Sequence, residues 1–220
     1  MKTALLFGSS GLIGGHLLNK LIENNDYNKI KLFVRSEPKT SHQKIEIIKT
    51  DFNNLKSHKD DIKGTDCFFC IGTTKKNAID GDEYRRIEYG IPTEIAQIAK
   101  SNSVNSFIYV SSISANPKSS GEYLRNKGEV EEELKKLNFP VLGILRPSFL
   151  MGNRKEKRIG EKIGIFIFKI ISPLFLGPLK KMKPIHSEKV AQAMIKVAGK
   201  YYKKTIFESN EIVELTLNQT

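Results

Sequence analysis

Apolar positions along the chain switch repeatedly between two periods. Residues 2–7 form a short apolar run that predicts a strand, and Leu12, Ile13, Leu17, Leu18, Leu21 and Ile22 fall at helical spacing over 12–24. Strands are expected at 30–35 and 45–49, and at 66–71, where a near-continuous apolar run suits a strand covered on both faces. A long helix is expected over roughly 82–101, with Ile87, Ile91, Ile95, Ile98 and Ala99 on its apolar side. A strand at 106–111, a helix near 121–137 and a strand at 140–146 follow. The last third is less regular. Ile163, Phe166, Ile167, Ile170 and Ile171 make a helical stripe over 159–172 that Pro173 should end. A short strand near 184–186, a helix at 187–199 and a strand around 205–208 complete the pattern. Strands alternating with helices predict an α/β fold, a doubly wound parallel sheet with right-handed crossovers. One domain is expected over 1–220, with 150–220 supplying a small substrate cap and the final strand and helix.

Composition narrows this picture only a little. With 39% apolar and 27% charged residues the chain has an ordinary globular composition. No stretch reaches the ~18 apolar residues of a spanning helix. Met1-Lys2 ahead of an apolar run imitates a signal peptide, but Gly8-Ser9-Ser10-Gly11 breaks the run and a helix pattern continues it, so it reads as structure. The net charge of +12 reads as a lysine-biased solvated surface; no nucleic-acid motif accompanies it, and no nucleic-acid partner is expected. Cys67 and Cys70 have redox spacing, yet residues three apart on a strand point to opposite faces. They read as reduced core thiols, and a cytoplasmic location is expected. No metal ligands are assigned.

The segment Gly8-Ser9-Ser10-Gly11-Leu12-Ile13-Gly14 follows the first strand and opens the first helix. That context suits a dinucleotide-binding Rossmann unit, in which small residues bring backbone N–H groups to a pyrophosphate at a helix N-terminus. Gly8 allows the turn, Gly11 the approach of phosphate and Gly14 the packing of helix on strand. The second strand ends in Arg35, where an enzyme using NAD(H) usually has Asp or Glu. A guanidinium suits a 2′-phosphate, so NADP(H) is favoured over NAD(H), with Ser9 and Ser10 as further donors. Asp51-Phe52, past the third strand, lies where an adenine would rest; Asp51 is either an adenine acceptor or a helix N-cap. Gly72-Thr73-Thr74 forms a small-residue turn at the carboxyl end of the sheet, along the expected cofactor path.

The strand at 106–111 leads into Ser111-Ser112, and Tyr123 and Lys127 follow at a spacing that shares one helix face. An ammonium beside a phenol favours the phenolate, which suits acid/base work near neutral pH. With the glycine loop, these residues resemble the short-chain dehydrogenase/reductase superfamily, extended or atypical branch. Cys70-Ile71-Gly72-Thr73-Thr74, Ser111-Ser112, Gly128-Glu129-Val130-Glu131 and Arg146-Pro147 further resemble the atypical group of the human HIV Tat-interacting protein. The resemblance runs to about residue 198. It implies that Tyr123 is the acid/base, that Lys127 also binds the nicotinamide ribose and that Ser112, rather than Ser111, orients substrate. It implies too that Arg146-Pro147 lines the nicotinamide side and that His186 is structural.

Many active relatives carry an asparagine in the long helix. The corresponding stretch here, Ile87-Glu88-Tyr89-Gly90, lacks it. Two readings of function follow. The first is an NADP(H)-dependent oxidoreductase acting on a small carbonyl or alcohol, with nucleotide-sugar epimerisation or dehydration as a variant. The second is an NADP(H)-binding module that presents a surface to a protein partner. The basic and apolar segment 154–183 reads either as a core helix with a loop cap or as a peripheral membrane contact through 159–183.

Overall fold

The computed structural model of the protein describes residues 1–152 and 182–217. Its strands are β1 (Lys2–Phe7), β2 (Tyr27–Val34), β3 (Ile45–Lys49), β4 (Asp66–Phe69), β5 (Ser106–Val110), β6 (Val141–Arg146), β7 (Leu150–Met151), β8 (Ile185–His186) and β9 (Ile206–Glu208). Its helices are α1 (Leu12–Glu23), α2 (Gly81–Arg85), α3 (Ile91–Ser101), α4 (Glu122–Lys136), α5 (Ser187–Ala198) and α6 (Ser209–Leu217). A 3₁₀ turn covers Leu55–His58, and a π-helical turn, Arg86–Gly90, joins α2 to α3. The helix expected at 159–172 lies outside the described residues, as does the basic segment up to Lys181.

Seven strands form one parallel sheet in the order β3-β2-β1-β4-β5-β6-β9. The order reverses between β1 and β4, which opens a crevice at their carboxyl ends. Alternation along each strand divides the core into two layers. Leu5, Phe7, Cys67, Phe69, Phe107 and Tyr109 pack with Ile91 and Ile95 of α3 and Val130 and Leu134 of α4. Ala4, Leu6, Phe68, Ile108 and Leu145 face the other way, onto Leu17 and Leu21 of α1 and Val190 and Met194 of α5. Phe7 stacks on Phe33 with ring centroids 4.3 Å apart. β7 and β8 make a separate two-stranded pair, after which α5 and β9 return the chain to the main sheet.

Asp66 is the polar exception at the amino end of β4, fully buried. It accepts a 2.7 Å hydrogen bond from the Tyr27 hydroxyl and faces Lys2 Nζ at 3.3 Å, so three adjacent strands share one carboxylate. Burial first, and then the Asp66 charge, push the Tyr27 phenol far up and keep it a donor.

Three features depart from the pattern read along the chain. The expected single helix over 82–101 is divided by the π-helical turn. Pro92 explains this: it lacks an N–H, and its ring would press on the Glu88 carbonyl of a regular α-helix. The helix α6 and the short strand β7 were not expected. Both are brief and depend on what they pack against.

Gly128 sets how closely α4 approaches the loop after β5. A Cβ there would lie 2.3 Å from the backbone of Asn116 and Pro117. Gly128→Ala is therefore expected to lower stability by about 1–3 kcal/mol, read as a fall in the urea midpoint. An unchanged midpoint would contradict this packing.

Candidate active site

The turn after β1 is shaped by two close approaches. Gly8 has φ +89°, and a Cβ on it would lie 2.8 Å from the Cys70 carbonyl carbon. A Cβ on Gly14 would lie 2.0 Å from the Gly8 carbonyl oxygen, so α1 can seat on the turn only with glycine there. Gly11 caps α1 without a side-chain hydrogen bond, and the first turn of α1 carries no acidic residue. The helix therefore begins with N–H groups not taken up by a side-chain cap, which fits a pyrophosphate by charge and by donor geometry.

A cavity of about 820 Å³ extends from this turn across the carboxyl ends of the strands. Ser9, Ser10, Gly11, Leu12 and Ile13 line one end; Gly72 and Thr73 line its middle; Ser111, Ser112, Tyr123, Lys127 and Pro147 line the far side. Gly8 and Gly14 lie beneath the turn they shape. Arg35, Asp51, Phe52, Thr74 and Arg146 are not on the cavity wall. Arg35 is exposed at the end of β2. Asp51 closes a local turn, accepting from the Asn53 backbone at 2.9 Å and its side chain at 3.1 Å, and these bonds hold its carboxyl below the usual range. It does not cap a helix: Asn54 stands at the start of the 3₁₀ turn. Phe52 is buried with φ 65°, and its carbonyl accepts from Arg86 at 2.8 Å.

Tyr123 lies in the first turn of α4 and is 41% exposed, while Lys127, one turn later, is 4% exposed. Lys127 Nζ lies 5.9 Å from the Tyr123 ring centre, 4.9 Å from the Tyr109 ring centre and 3.4 Å from the Val110 carbonyl. Its counter-charge is Glu88, 3.1 Å away on the π-helical turn. Glu88 is itself buried, and its other oxygen accepts from the Thr73 backbone at 2.5 Å. Burial pulls Lys127 down, but Tyr109, Glu88 and Tyr123 outweigh it and hold the ammonium well above the lysine range. Burial pushes the Tyr109 phenol up, against the pull of Lys127.

A second buried group of charges underlies the serines. Ser111 donates to Glu131 of α4, which also holds Arg146 through Nε at 2.9 Å and through Nη2. Arg146 bonds Glu208 of β9 at 3.3 Å and the Ala115 carbonyl at 3.2 Å. Ser111 and Arg146 thus brace the loop after β5, whereas Ser112 is half-buried on the cavity wall. His186 is exposed at the start of α5.

Sequence reasoning missed the roles of Glu88 and Glu131. Each had a signal: Glu88 adjoins the apolar positions Ile87 and Ile91 and precedes Pro92 by four residues, and Glu131 sits between Val130 and Leu134 on the buried face of α4.

Sheet order, turn and cavity together define a Rossmann dinucleotide-binding protein. The chain belongs to the family described as NAD(P)H-binding, which it matches over residues 8–200. It is 33% identical to the protein FMP52-1, mitochondrial, of Scheffersomyces stipitis, over 97% of this chain and 98% of that one. It is 34% identical to the protein FMP52, mitochondrial, of Meyerozyma guilliermondii, over 92% and 88%. Among solved structures, the Bordetella bronchiseptica enzyme WbmH in complex with NAD+ aligns with TM-score 0.72 at 16% identity, over 94% of this chain and 75% of that one. A UDP-N-acetylglucosamine 4-epimerase from Methanobrevibacter ruminantium aligns with TM-score 0.70 at 18% identity, over 97% and 80%. These neighbours share the fold of the extended short-chain dehydrogenase/reductase superfamily. The names of the fungal relatives overturn the expected cytoplasmic location, which rested on two reduced thiols. Reduced cysteines report burial and chemistry, not an address.

Cys67 is fully buried in one core layer and Cys70 packs against the other, both free. Burial pushes the Cys70 thiol up to about 12, although Lys127 draws it down. Alkylation of the native protein by iodoacetamide at pH 8 is expected to be about a thousandfold slower than for a free thiol, as mass spectrometry would read. Rapid labelling of Cys70 would contradict it.

Proposed function

We propose that this chain is an NADP(H)-dependent oxidoreductase acting on a small carbonyl or alcohol. The observation that carries the reading is the buried Lys127 ammonium beside the Tyr123 ring, on the wall of the cavity that begins at the phosphate turn. Bound NADPH would supply the hydride. Tyr123 gives its hydroxyl proton to the substrate oxygen in reduction and recovers it from solvent, and in oxidation it takes the alcohol proton. Lys127 stabilises the phenolate between these events. The Ser112 hydroxyl holds the substrate oxygen beside the phenol. The N–H groups at the start of α1 hold the pyrophosphate, and Arg35, a guanidinium at the end of β2, meets the ribose 2′-phosphate. The names of the fungal relatives support a mitochondrial location.

A second reading, a module that binds NADPH without turning it over, is favoured by one observation. Glu88, in a stretch without the asparagine that many active relatives carry, balances Lys127.

Tyr123→Phe is expected to cut NADPH-dependent reduction of a panel of aldehydes, ketones and quinones by about 10²–10⁴-fold, with NADPH affinity unchanged by calorimetry. Activity that survives the change removes Tyr123 from the mechanism. Wild-type protein that binds NADPH but reduces nothing on the panel supports the second reading. Arg35→Ala is expected to weaken NADPH binding by about 10–100-fold and to leave NADH binding unaltered. Equal effects on both cofactors would argue against the 2′-phosphate contact.

A further inference from the structure

We infer that Glu88 is a positioning residue which, through Lys127, sets how readily Tyr123 releases its proton. The inference rests on Tyr123 and Lys127 as the acid/base pair proposed above. Its basis is geometric. The Lys127 and Glu88 side chains are 5% and 0% exposed and meet at 3.1 Å, so water screens the pair far less than it would at the surface. An isolated ammonium at this depth would place a whole positive charge beside the phenol. Paired with Glu88, it presents something closer to a dipole, and its pull on a phenolate weakens.

The backbone is arranged to deliver this carboxylate. The π-helical turn ahead of Pro92, Arg86–Gly90, is a geometry that recurs at functional sites, and here it holds Glu88 against Lys127. Gly72 lies directly over the pair, at ordinary contact distance: a Cβ there would lie 3.4 Å from Glu88 Oε1 and 4.0 Å from Lys127 Nζ. Glu88 also lines the cavity shared by Tyr123 and the phosphate turn.

The other titratable groups around the phenol leave Glu88 as the balancing charge. Tyr84 of α2 is pushed up to about 12, by burial first and then by Glu88, and Tyr109 of β5 is likewise pushed up; both stay neutral. Cys70 stays a thiol. Glu122, beside Tyr123 in sequence, is paired with Lys75.

Glu88 also holds the turn after β4 through the Thr73 N–H, a merely structural role. Glu88→Gln separates the two, because the amide keeps an acceptor and the size while losing the charge. The test is a phenolate absorbance titration of the full chain, with the Tyr123 signal isolated by subtracting the titration of Tyr123→Phe. In Glu88→Gln the midpoint of that signal is expected to fall by about one pH unit, while Glu88→Asp keeps it near the wild-type value. An unmoved midpoint in a Glu88→Gln protein that unfolds cooperatively on heating overturns the inference. If the glutamine variant does not fold, Glu88→Asn carries the same prediction and the same overturning result. No substrate enters the titration, so its outcome is distinct from that of the oxidoreductase reading, which stands or falls on turnover by Tyr123→Phe.

Discussion

The closest constraint in the molecule is the seating of α1 on the turn that follows β1. The Gly8 carbonyl lies where a Cβ of residue 14 would have to be, and Gly8 itself abuts the chain leaving β4. This contact brings β1, α1 and β4 together at the point where the strand order reverses. It leaves the first N–H groups of α1 without a side-chain cap at the mouth of the crevice. Packing and cofactor chemistry therefore depend on the same two glycines. A Cβ at residue 14 would meet the Gly8 carbonyl and one at residue 8 the backbone at Cys70, so a larger residue at either position has to push the helix and the strands apart.

The rest of the site is built from buried charges, which are stable only when paired. Two such groups hang from the inner face of α4, one turn apart. Lys127 is matched by Glu88, and Glu131 is matched by Arg146 and Ser111. The first group faces the cavity beside Tyr123. The second is bracing: it connects the loop after β5 to β6 and β9. One helix face thus carries both the cavity-lining lysine and the support for the serine loop. This explains why α4 must come so near the backbone at Asn116 and Pro117.

How far this was legible along the chain differs by element. β1 and β6 lie where the apolar pattern put them to within a residue, because strands covered on both faces must be apolar whatever their neighbours. The glycine turn was legible for a similar reason, since only glycine satisfies its geometry. The division of the helix at 81–101 was not. Its apolar positions continue at helical spacing through the π turn, and Pro92 was the sole local warning. Asp51 reads locally as an adenine acceptor or a helix N-cap; it closes a local turn with Asn53 instead, because the 3₁₀ turn begins later, at Asn54.

The amino-acid sequence by itself determined the sheet, the two apolar layers, the glycine turn and the spacing of Tyr123 and Lys127. Each of these is a local matter of periodicity, or of a residue type that no other can replace. Only the tertiary structure decided which charges meet. Glu88 and Lys127 are 39 positions apart in the chain, and Arg146 and Glu208 are 62 apart. Read locally, Glu88 was one residue of a stretch, Ile87 to Gly90, that lacks an asparagine, and Arg146 was a possible cofactor contact. Folding buries Glu88 against Lys127 and sets the partly exposed Arg146 against Glu131 and Glu208, and that meeting of opposite charges, which no local pattern encodes, comes only from tertiary packing.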